Sequence, residues 1–348
     1  MSAQAGELLF MRRALELAKR GLGHTRPNPA VGAVVAKDGK IIGEGYHHKC
    51  GGAHAEVEAI ADARKNGCDT RGATIYVTLE PCSKPGRVGA CTDAIAASGI
   101  AEAVYAVSDP NEKNRGKACA ALAPHGIKCR ELERTDENAA LIDECNGLIK
   151  AFRKHVTTGL PFLTVKIAMS LDGKICDDNG DAKWISSENA RQETGKLREI
   201  ADAIMVGAET LRKDDPSLLS HGEPNDDLVR VIVTKSGNLP RTAQVFADGK
   251  NKTLVMQPQA EEQDVDFLRR MMRELGEMGF THVLCEGGLE LARGLAAAGL
   301  VDEWISVIAP IVIAHAPIGK AKRFALEESR KIRGSENEIL ARYRCLQD

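Results

Sequence analysis

Four residues between positions 54 and 91 combine side chains that can bind a metal ion with one that can move protons. His54, Cys82 and Cys91 offer one imidazole and two thiols. Three nitrogen or sulfur ligands, with a fourth position left for water, are typical of a catalytic zinc site. Glu56 lies two positions after His54, so its carboxylate stays available for proton transfer. The pattern therefore predicts a catalytic zinc centre with Glu56 as general acid and base.

The order of these residues matches a known metal signature, apart from one spacing. Zinc-dependent nucleobase deaminases carry H-x-E followed by P-C-x-x-C, and the Glu is not a ligand. This chain has H-A-E at 54–56 and P-C at 81–82, but eight residues rather than two separate its two cysteines. A structural zinc site would instead need a fourth protein ligand, for which only His48 and Cys50 are close in sequence.

The composition predicts a globular chain of two domains. Its 348 residues exceed the size at which a single core usually keeps growing. A net charge of −2 provides no basic field for a nucleic acid backbone. We expect no signal peptide, because residues 1–10 lack a basic start and a continuous apolar run, and no segment long enough to span a bilayer. Nucleic acid and membrane partners are therefore not expected.

The cysteine content indicates a reducing environment. Ten cysteines without the framework of a short secreted domain predict a cytoplasmic location. The cysteines outside the proposed metal site are expected to behave as free, small, buried hydrophobic residues. These are Cys50, Cys68, Cys119, Cys129, Cys145, Cys176, Cys285 and Cys345.

In the first half, the predicted elements bring the four residues together. A helix over 53–65 places His54 and Glu56 in its first turn, where the helix dipole is positive. Cys82 follows a predicted strand, and Cys91 begins another helix, a position that lowers the pKa of a thiol. The predicted helices of this half span 8–20, 53–65, 91–99, 117–124 and 136–154, and the strands span 30–36, 40–46, 73–79, 103–107 and 127–131.

The second half also alternates strands and helices, after a boundary at 159–161. A strand over 282–285 runs into Gly287 and Gly288 before a helix, and such a turn can set phosphate oxygens against free backbone N–H groups. The signal is weak alone, since about one such turn in three is only a tight connection, and no G-x-G-x-x-G fingerprint is present. The predicted strands span 162–168, 203–207, 230–234, 253–257, 282–285, 302–314 and 339–346, and the helices 187–200, 265–276 and 289–298. This half is predicted to be a nucleotide-binding α/β domain.

With both halves in view, the chain resembles the RibD/RibG family of bifunctional riboflavin-biosynthesis enzymes over nearly its whole length. The motifs of the first half are PNPAVGAV at 27–34, GEGYH at 43–47, HAEV at 54–57, TLEPCS at 78–83 and DPN at 109–111. Those of the second half are SLDGK at 170–174, WI at 184–185, DDP at 214–216, EGG at 286–288 and LVDE at 300–303. The long gap between the two cysteines is itself a trait of this family.

The resemblance implies a fold class, two cofactors and a substrate. The fold would be α/β, with a cytidine-deaminase-like three-layer domain at 1–155 and a dihydrofolate-reductase-like domain at 160–348. Zinc and NADPH would be the cofactors, and the small-molecule substrate would be a phosphorylated aminopyrimidine. The first domain would remove an amino group by hydrolysis, and the second would reduce the ribosyl chain to ribityl. A homo-oligomer formed through the reductase domain is also implied.

Carried over residue by residue, the resemblance places zinc on His54, Cys82 and Cys91, with Glu56 as the proton carrier. The deaminase positions that match substrate-binding residues are Asn28, His47, Arg87, Asp109 and Asn111. The positions that match NADPH contacts are Ala168, Trp184, Thr210, Asp214, Gly287 and Gly288. Those on the substrate side of the reductase are Lys166, Ala182, Arg198, Leu218, His221 and Glu286. Lys166, Asp214 and Glu286 are the polar candidates for catalysis, although ordinary ion pairs also place charges in clefts.

Several departures from the family pattern leave alternatives open. Lys84 stands where His is common, His221 where Arg often occurs, and Thr234-Lys235 where Asp-Ser is usual. One alternative is a deaminase whose second half is a non-catalytic binding or dimerisation module. Another is a nucleic-acid or free-nucleoside deaminase, which would leave the motifs at 170–174 and 286–288 without a role.

Overall fold

The computed structural model describes residues 3–84, 89–178, 185–220, 225–315, 322–331 and 339–345. Contacts divide the chain into two units, one formed by Met1–Phe162 with Met272–His282 and the other by Leu163–Met271 with Val283–Asp348. None of the helices in these described ranges combines the length and apolar character needed to cross a membrane.

The first unit is built on a five-stranded sheet. Its strands are β1 (Gly32–Lys37), β2 (Lys40–Tyr46), β3 (Thr74–Val77), β4 (Glu102–Tyr105) and β5 (Lys128–Glu131), in the order β2-β1-β3-β4-β5. β1 pairs antiparallel with β2 and β3, whereas β3, β4 and β5 are parallel. The predicted hairpin is present, and Asp38 and Gly39 both have positive φ (50° and 75°), as tight hairpin turns require.

Helices cover both faces of this sheet. They are α1 (Ala3–Lys19), α2 (Ala55–Lys65), α3 (Cys91–Ala97), α4 (Ala118–Leu122), α5 (Ala139–Leu148) and α6 (Lys150–Thr158), with a 3₁₀ turn at Ala123–His125. α1 and α5 bury residues such as Met11 and Leu141 against one face. α2 and α3 bury Ile60 and Ile95 against the other. The predicted three-layer arrangement is confirmed.

Glycines in β2 let α2 approach the sheet closely. A Cβ atom on Gly45 would lie 2.4 Å from the backbone nitrogen of Ala59 and 2.5 Å from the carbonyl oxygen of Ala55. A Cβ atom on Gly43 would lie 2.2 Å from the carbonyl oxygen of Ala59. Larger side chains would force the helix away, because close-packed interiors do not absorb such overlaps. These contacts fix the helix whose first turn carries Glu56.

The second unit contains a six-stranded sheet with helices attached to it. Its strands are β6 (Phe162–Ser170), β7 (Ala203–Gly207), β8 (Val229–Val233), β9 (Thr253–Met256), β10 (His282–Cys285) and β11 (Glu303–Ala309), in the order β11-β6-β10-β7-β8-β9. The pairs β11–β6, β10–β7, β7–β8 and β8–β9 are parallel. The helices are α7 (Glu188–Ile200), α8 (Ala208–Asp214), α9 (Gln244–Ala247), α10 (Asp264–Glu277, of which 272–277 are grouped with the first unit) and α11 (Leu289–Ala297). A further sheet joins β12 (Ile311–Val312), β13 (Lys322–Lys331) and β14 (Ile339–Cys345).

Two long predicted elements are each divided in the structure. The helix predicted over 136–154 is interrupted at Ile149, which lies between α5 and α6 with φ −102° and ψ 11°. The strand predicted over 302–314 is interrupted at Pro310, between β11 and β12. Proline lacks the N–H group that a strand ladder needs, so the second break has a local cause. The elements α8, α9 and β13 were not predicted.

Cys119 and Cys129 form a disulfide bond between α4 and β5, with their Cα atoms 4.9 Å apart. The prediction that both are free hydrophobic residues is therefore wrong. Cys145 and Cys285 are buried and unpaired, as expected. Among the described residues, three further cysteines outside the proposed metal site are only half-buried: Cys50, Cys68 and Cys176. The side chain of Cys345 lies outside the described part of the chain.

Candidate functional site

The three predicted metal ligands converge on one point in the first unit. The ligand atoms of His54, Cys82 and Cys91 all lie within 4.8 Å of one another. The Nδ1 atom of His54 is 3.2 Å from Sγ of Cys91 and 3.6 Å from Sγ of Cys82. Within the described ranges, no other His, Cys, Asp or Glu belongs to this group.

Two helix starts and one strand end bring these ligands together. His54 is the N-cap of α2, with extended backbone angles (φ −77°, ψ 162°), so it lies just before the helix and not in its first turn as predicted. Cys91 is the first residue of α3, and its backbone N–H donates to Sγ of Cys82, 3.3 Å away. The N–H of Thr92 donates to the carbonyl oxygen of Cys82 at 3.2 Å. The start of α3 therefore holds the Cys82 turn through two backbone hydrogen bonds.

The two thiols are electrostatically unequal. Hydrogen bonds with Cys91 and, to a smaller extent, with His54 together lower the pKa of Cys82 to about 4, against the opposing effect of burial. The pKa of Cys91 is raised, because its thiol hydrogen-bonds to Cys82 and is itself buried. These hydrogen bonds favour the thiolate at Cys82, the form of cysteine that binds metals.

Glu56 lies in the first turn of α2 and is only 3% exposed. Burial raises the pKa of Glu56 to about 7, and the negative charge of Cys82 adds to this rise. A carboxyl group with such a pKa can both accept and release a proton near neutrality. It does not belong to the ligand group found among the described residues, so its carboxyl group stays available for proton transfer.

These residues fit a zinc ion. Zinc bonds of about 2.0 Å to nitrogen and 2.3 Å to sulfur, in tetrahedral geometry, place ligand atoms roughly 3–4 Å apart. The distances from Nδ1 of His54 to the two sulfur atoms, 3.2 Å and 3.6 Å, lie in that range. Two sulfurs and one nitrogen, with no fourth donor among the residues that the structure describes, are the ligand set of a catalytic site with one open position.

Asn28 and His47, both predicted to bind substrate, lie beside the metal ligands. Nδ2 of Asn28 is 3.1 Å from Nε2 of His47, and Nδ1 of His47 is 2.9 Å from the carbonyl oxygen of Ala53. Nδ1 of His47 therefore donates, and its Nε2 accepts from Asn28. Burial lowers the pKa of His47, which favours this neutral form. The His47 ring meets the His54 ring edge-on, with 5.1 Å between centroids.

Asp109 and Asn111, also predicted to bind substrate, follow the end of β4. Oδ1 of Asp109 accepts the backbone N–H of Asn111 at 2.8 Å, and its Oδ2 accepts Nδ2 of Asn114 at 2.9 Å. Burial raises the pKa of Asp109. Arg87, the predicted phosphate contact, lies outside the described residues.

The second unit contains a cleft of about 1060 Å³ in volume, at the carboxyl ends of its central strands. Open α/β sheets place ligands at this edge. Six predicted site residues line the cleft: Lys166, Ala168, Thr210, Asp214, Glu286 and Gly288. Leu218 is buried among apolar side chains and does not line it. Ala182, Trp184 and His221 lie outside the described residues.

Arg198 and Glu286 form a buried ion pair at this cleft. Nε and Nη2 of Arg198 donate to the two carboxylate oxygens of Glu286 at 2.8 Å and 2.9 Å, and Nη1 donates to the carbonyl oxygen of Leu219 at 2.9 Å. The side chains are 13% and 11% exposed. Burial works against the charge on Arg198, but the hydrogen bonds with Glu286 more than offset it, so the pKa of Arg198 is raised. Arg198 therefore connects Glu286, a predicted substrate-binding residue, to the carbonyl group of Leu219, which follows Leu218.

The turn after β10 fits the phosphate groups of a dinucleotide. A Cβ atom on Gly287 would lie 2.6 Å from Cβ of Val206, and Gly288 has a φ of +71°, so both positions need glycine. Gly288 is the N-cap of α11, whose free N–H groups favour an anion. The charged residues that line the same cleft are five basic and five acidic ones. Its volume and this glycine turn match the predicted NADPH.

Two residues of the first unit were missed by sequence reasoning, although both contact predicted site residues. Glu80 and Asn114 are 3% and 7% exposed. The side chain of Asn114 binds both Asp109 and the backbone of Ser83. The only sequence signal for either residue was the charged position within the TLEPCS motif at 78–83.

Comparison with known families gives one match in each half. The cytidine and deoxycytidylate deaminase zinc-binding region matches residues 6–107, which include the converging His and Cys ligands and Glu56. The RibD C-terminal domain matches residues 161–328, which include the cleft. The predicted α/β fold class, a deaminase-like domain followed by a reductase domain, is confirmed.

Proteins similar over nearly the whole chain carry both parts. The chain is 36% identical to the riboflavin biosynthesis protein RibD of Aquifex aeolicus over 95% of both chains. It is 35% identical to the protein of that name from Escherichia coli, over 86% of this chain and 87% of the other. A crystal structure from Thermotoga maritima, a diaminohydroxyphosphoribosylaminopyrimidine deaminase/5-amino-6-(5-phosphoribosylamino)uracil reductase, matches with a TM-score of 0.81 and 34% identity. That match covers 98% of this chain and 99% of the other.

Removal of one ligand should abolish metal binding. His54→Ala leaves two sulfur donors, too few to hold zinc against solvent, so zinc should fall from about one equivalent per chain to less than about 0.1. Elemental analysis of the purified protein measures this content. Cys68→Ser, which changes a half-buried cysteine outside the ligand group, should keep the full equivalent. A His54→Ala protein that retains one equivalent would contradict the assignment of the ligands.

Proposed function

The chain belongs to the RibD family of riboflavin biosynthesis proteins, and we propose that it catalyses two consecutive reactions on one phosphorylated aminopyrimidine. The first is hydrolytic deamination of 2,5-diamino-6-(5-phosphoribosylamino)pyrimidin-4(3H)-one, assigned to residues 1–155. The second is NADPH-dependent reduction of the ribosyl chain to ribityl, assigned to residues 160–348. The main support is the convergence of His54, Cys82 and Cys91 beside the buried carboxyl group of Glu56.

The deaminase residues divide between metal binding and proton transfer. Zinc held by the three ligands supplies the Lewis acidity that makes water a nucleophile near neutral pH. Glu56 would carry two protons in turn, the first from the attacking water to the ring nitrogen and the second from the resulting hydroxyl group to the amino group, which leaves as ammonia. Because the site around Glu56 is buried, these transfers are shielded from bulk water.

Polar groups around the metal site are assigned to the substrate. Asn28 and His47 lie within hydrogen-bonding distance of each other, next to the ring of His54. His47 in its neutral form offers a fixed pattern of donor and acceptor, which suits recognition of a pyrimidine edge. We assign Asp109 and Asn111 to the ribose phosphate side, together with Arg87.

The reductase residues hold two ligands in one cleft. NADPH supplies a hydride to the ribosyl carbon of the open-chain imine or carbonyl form, and a proton completes the new N–H or O–H bond. We assign the turn at Gly287 and Gly288, with Thr210 and Ala168, to the cofactor. Lys166, Asp214 and Glu286 place charges around the reacting carbon. The Arg198–Glu286 pair orients that carboxylate, because both of its oxygens accept from the guanidinium.

Replacing the proton carrier should stop the first reaction alone. Glu56→Gln removes the basic oxygen without changing side-chain size, so kcat for ammonia release should fall by about 10²- to 10⁴-fold while zinc stays bound. Glu58→Gln, a neighbouring change on α2, is the matched control and should leave the rate within about twofold. The measurement is ammonia release in a coupled assay. Full deamination by Glu56→Gln would rule out this proton path.

A glycine substitution should separate the second reaction from the first. In Gly287→Ala, the added Cβ atom would lie only 2.6 Å from Cβ of Val206, so the turn has to shift. Because the shifted turn no longer fits the phosphates, KM for NADPH should rise at least about tenfold. Deamination should continue normally. The KM for NADPH is measured by following NADPH oxidation with the deaminated substrate. If the folded wild-type protein oxidises no NADPH in this assay, the alternative of a non-catalytic second half is favoured.

We further propose that the chain is cytoplasmic and that two copies of it associate through the reductase unit. Trp304 and Ile308 on the edge strand β11 are 40% and 52% exposed in the single chain. Exposed apolar side chains on a sheet edge are favourable sites for self-association. Ile308→Lys should therefore lower the mass measured by sedimentation, whereas Val255→Lys on the opposite edge strand β9 should not. Equal masses for wild type and Ile308→Lys would reject this surface.

A further inference from the structure

Glu80 is a buried carboxylate for which the proposed reactions give no role. It is two residues before the metal ligand Cys82 and only 3% exposed. A buried carboxylate is costly unless its oxygens accept strong hydrogen bonds. The partners of Glu80 therefore indicate what its burial achieves.

Three backbone N–H groups from one connecting segment donate to Glu80. Its Oε2 accepts from Asp109 at 3.1 Å and from Gly116 at 3.0 Å, and its Oε1 accepts from Ala118 at 3.2 Å. All three donors lie in the segment 109–118, which joins β4 to α4. Hydrogen bonds to a charged acceptor are about twice as strong as neutral ones. One side chain thus holds both ends of a segment that has almost no regular structure of its own.

A second side chain ties the same segment to the Cys82 turn. Asn114 donates through Nδ2 to Asp109 at 2.9 Å and to the carbonyl oxygen of Pro81 at 3.5 Å. Its Oδ1 accepts the backbone N–H of Ser83 at 2.7 Å and the Ser83 hydroxyl at 3.0 Å. Residues on both sides of Cys82 are therefore bound to the segment that carries Asp109 and Asn111.

We propose that Glu80 is a positioning residue that fixes the distance between the metal-binding turn and the substrate-binding segment 109–118. Its carboxylate can only accept hydrogen bonds, and the three N–H groups that donate to it belong to the segment that carries Asp109 and Asn111. The motif around Cys82 thereby positions the substrate as well as the metal. This inference rests on the proposed deaminase function, because it concerns where the pyrimidine lies relative to the zinc ligands.

The isosteric variant Glu80→Gln tests this role. Whichever way the new amide is turned, its NH₂ group faces a backbone N–H, so at least one of the three bonds is lost. Displacement of segment 109–118 should raise KM for the aminopyrimidine at least about tenfold, with kcat within about threefold and one zinc per chain retained. Hydrogen exchange in a peptide over 108–119 should accelerate at least about tenfold, while a peptide over β3 keeps its rate.

Glu131→Gln is the matched control, because Glu131 accepts from the hydroxyl of Ser108 at 2.8 Å but is exposed. This variant should match wild type in KM and in exchange. Reductase activity of each preparation, measured in parallel, reports the folded fraction.

Asn114→Asp tests the same segment if Glu80→Gln does not fold. It replaces the donor to Asp109 with a second acceptor and keeps the acceptor for Ser83. The same rise in KM and faster exchange over 108–119 are expected. Exchange and KM both within about twofold of wild type, or loss of zinc without faster exchange, would overturn the proposal. If the wild-type protein shows no deaminase turnover, the proposed function is wrong. The hydrogen exchange of the peptide over 108–119 would still decide whether Glu80 holds this segment.

Discussion

The first site depends on the packing of α2 against β2, because that contact places its metal ligand and its proton carrier. His54 is the last extended residue before α2 and Glu56 lies in its first turn, so a small shift of the helix would move both side chains together. The absence of side chains at Gly43 and Gly45 allows the contact. These glycines lie on a strand with no chemistry of its own. The position of His54 relative to Cys82 and Cys91 therefore depends on the close packing of α2 against β2.

The two units use strand ends differently to assemble their sites. In the first, the Cys82 turn and the segment after β4 follow neighbouring parallel strands, and Glu80 and Asn114 bind one to the other. In the second, four parallel strands end around a single cleft, and the Arg198–Glu286 pair links a helix to the strand end. In both cases a buried ionic or polar group connects two segments that are distant in sequence. Such groups stabilise little by themselves, but they fix the relative positions of the residues that contact the ligands.

Sequence reasoning located the metal group, because His, Glu and Cys in a fixed order carry their chemistry in their residue types. It also found most strands and helices, since their apolar patterns are local. It did not find the Cys119–Cys129 bond, because pairing depends on how α4 lies against β5. It joined α5 to α6, because the only glycine near the break at Ile149 is Gly147, which lies inside α5 and does not end that helix. Glu80 was visible only as one letter of a motif, because its partners are backbone N–H groups that exist only once the segment after β4 is folded.

The small net charge of the chain does not reveal how charge is arranged at each site. The first site gathers acceptors, with Glu56 and Asp109 buried near two sulfur atoms, and such a cluster is stable only when donors or a cation compensate it. The cleft of the second unit is lined by five basic and five acidic residues, so the sum of its charges does not select an anion. Recognition of a dinucleotide there depends instead on directional groups, such as the free backbone N–H groups at the start of α11 beside Gly288, which favour phosphate oxygens. Net charge argues against a nucleic acid partner, but it cannot predict either site, because it sums over groups whose effect depends on their positions.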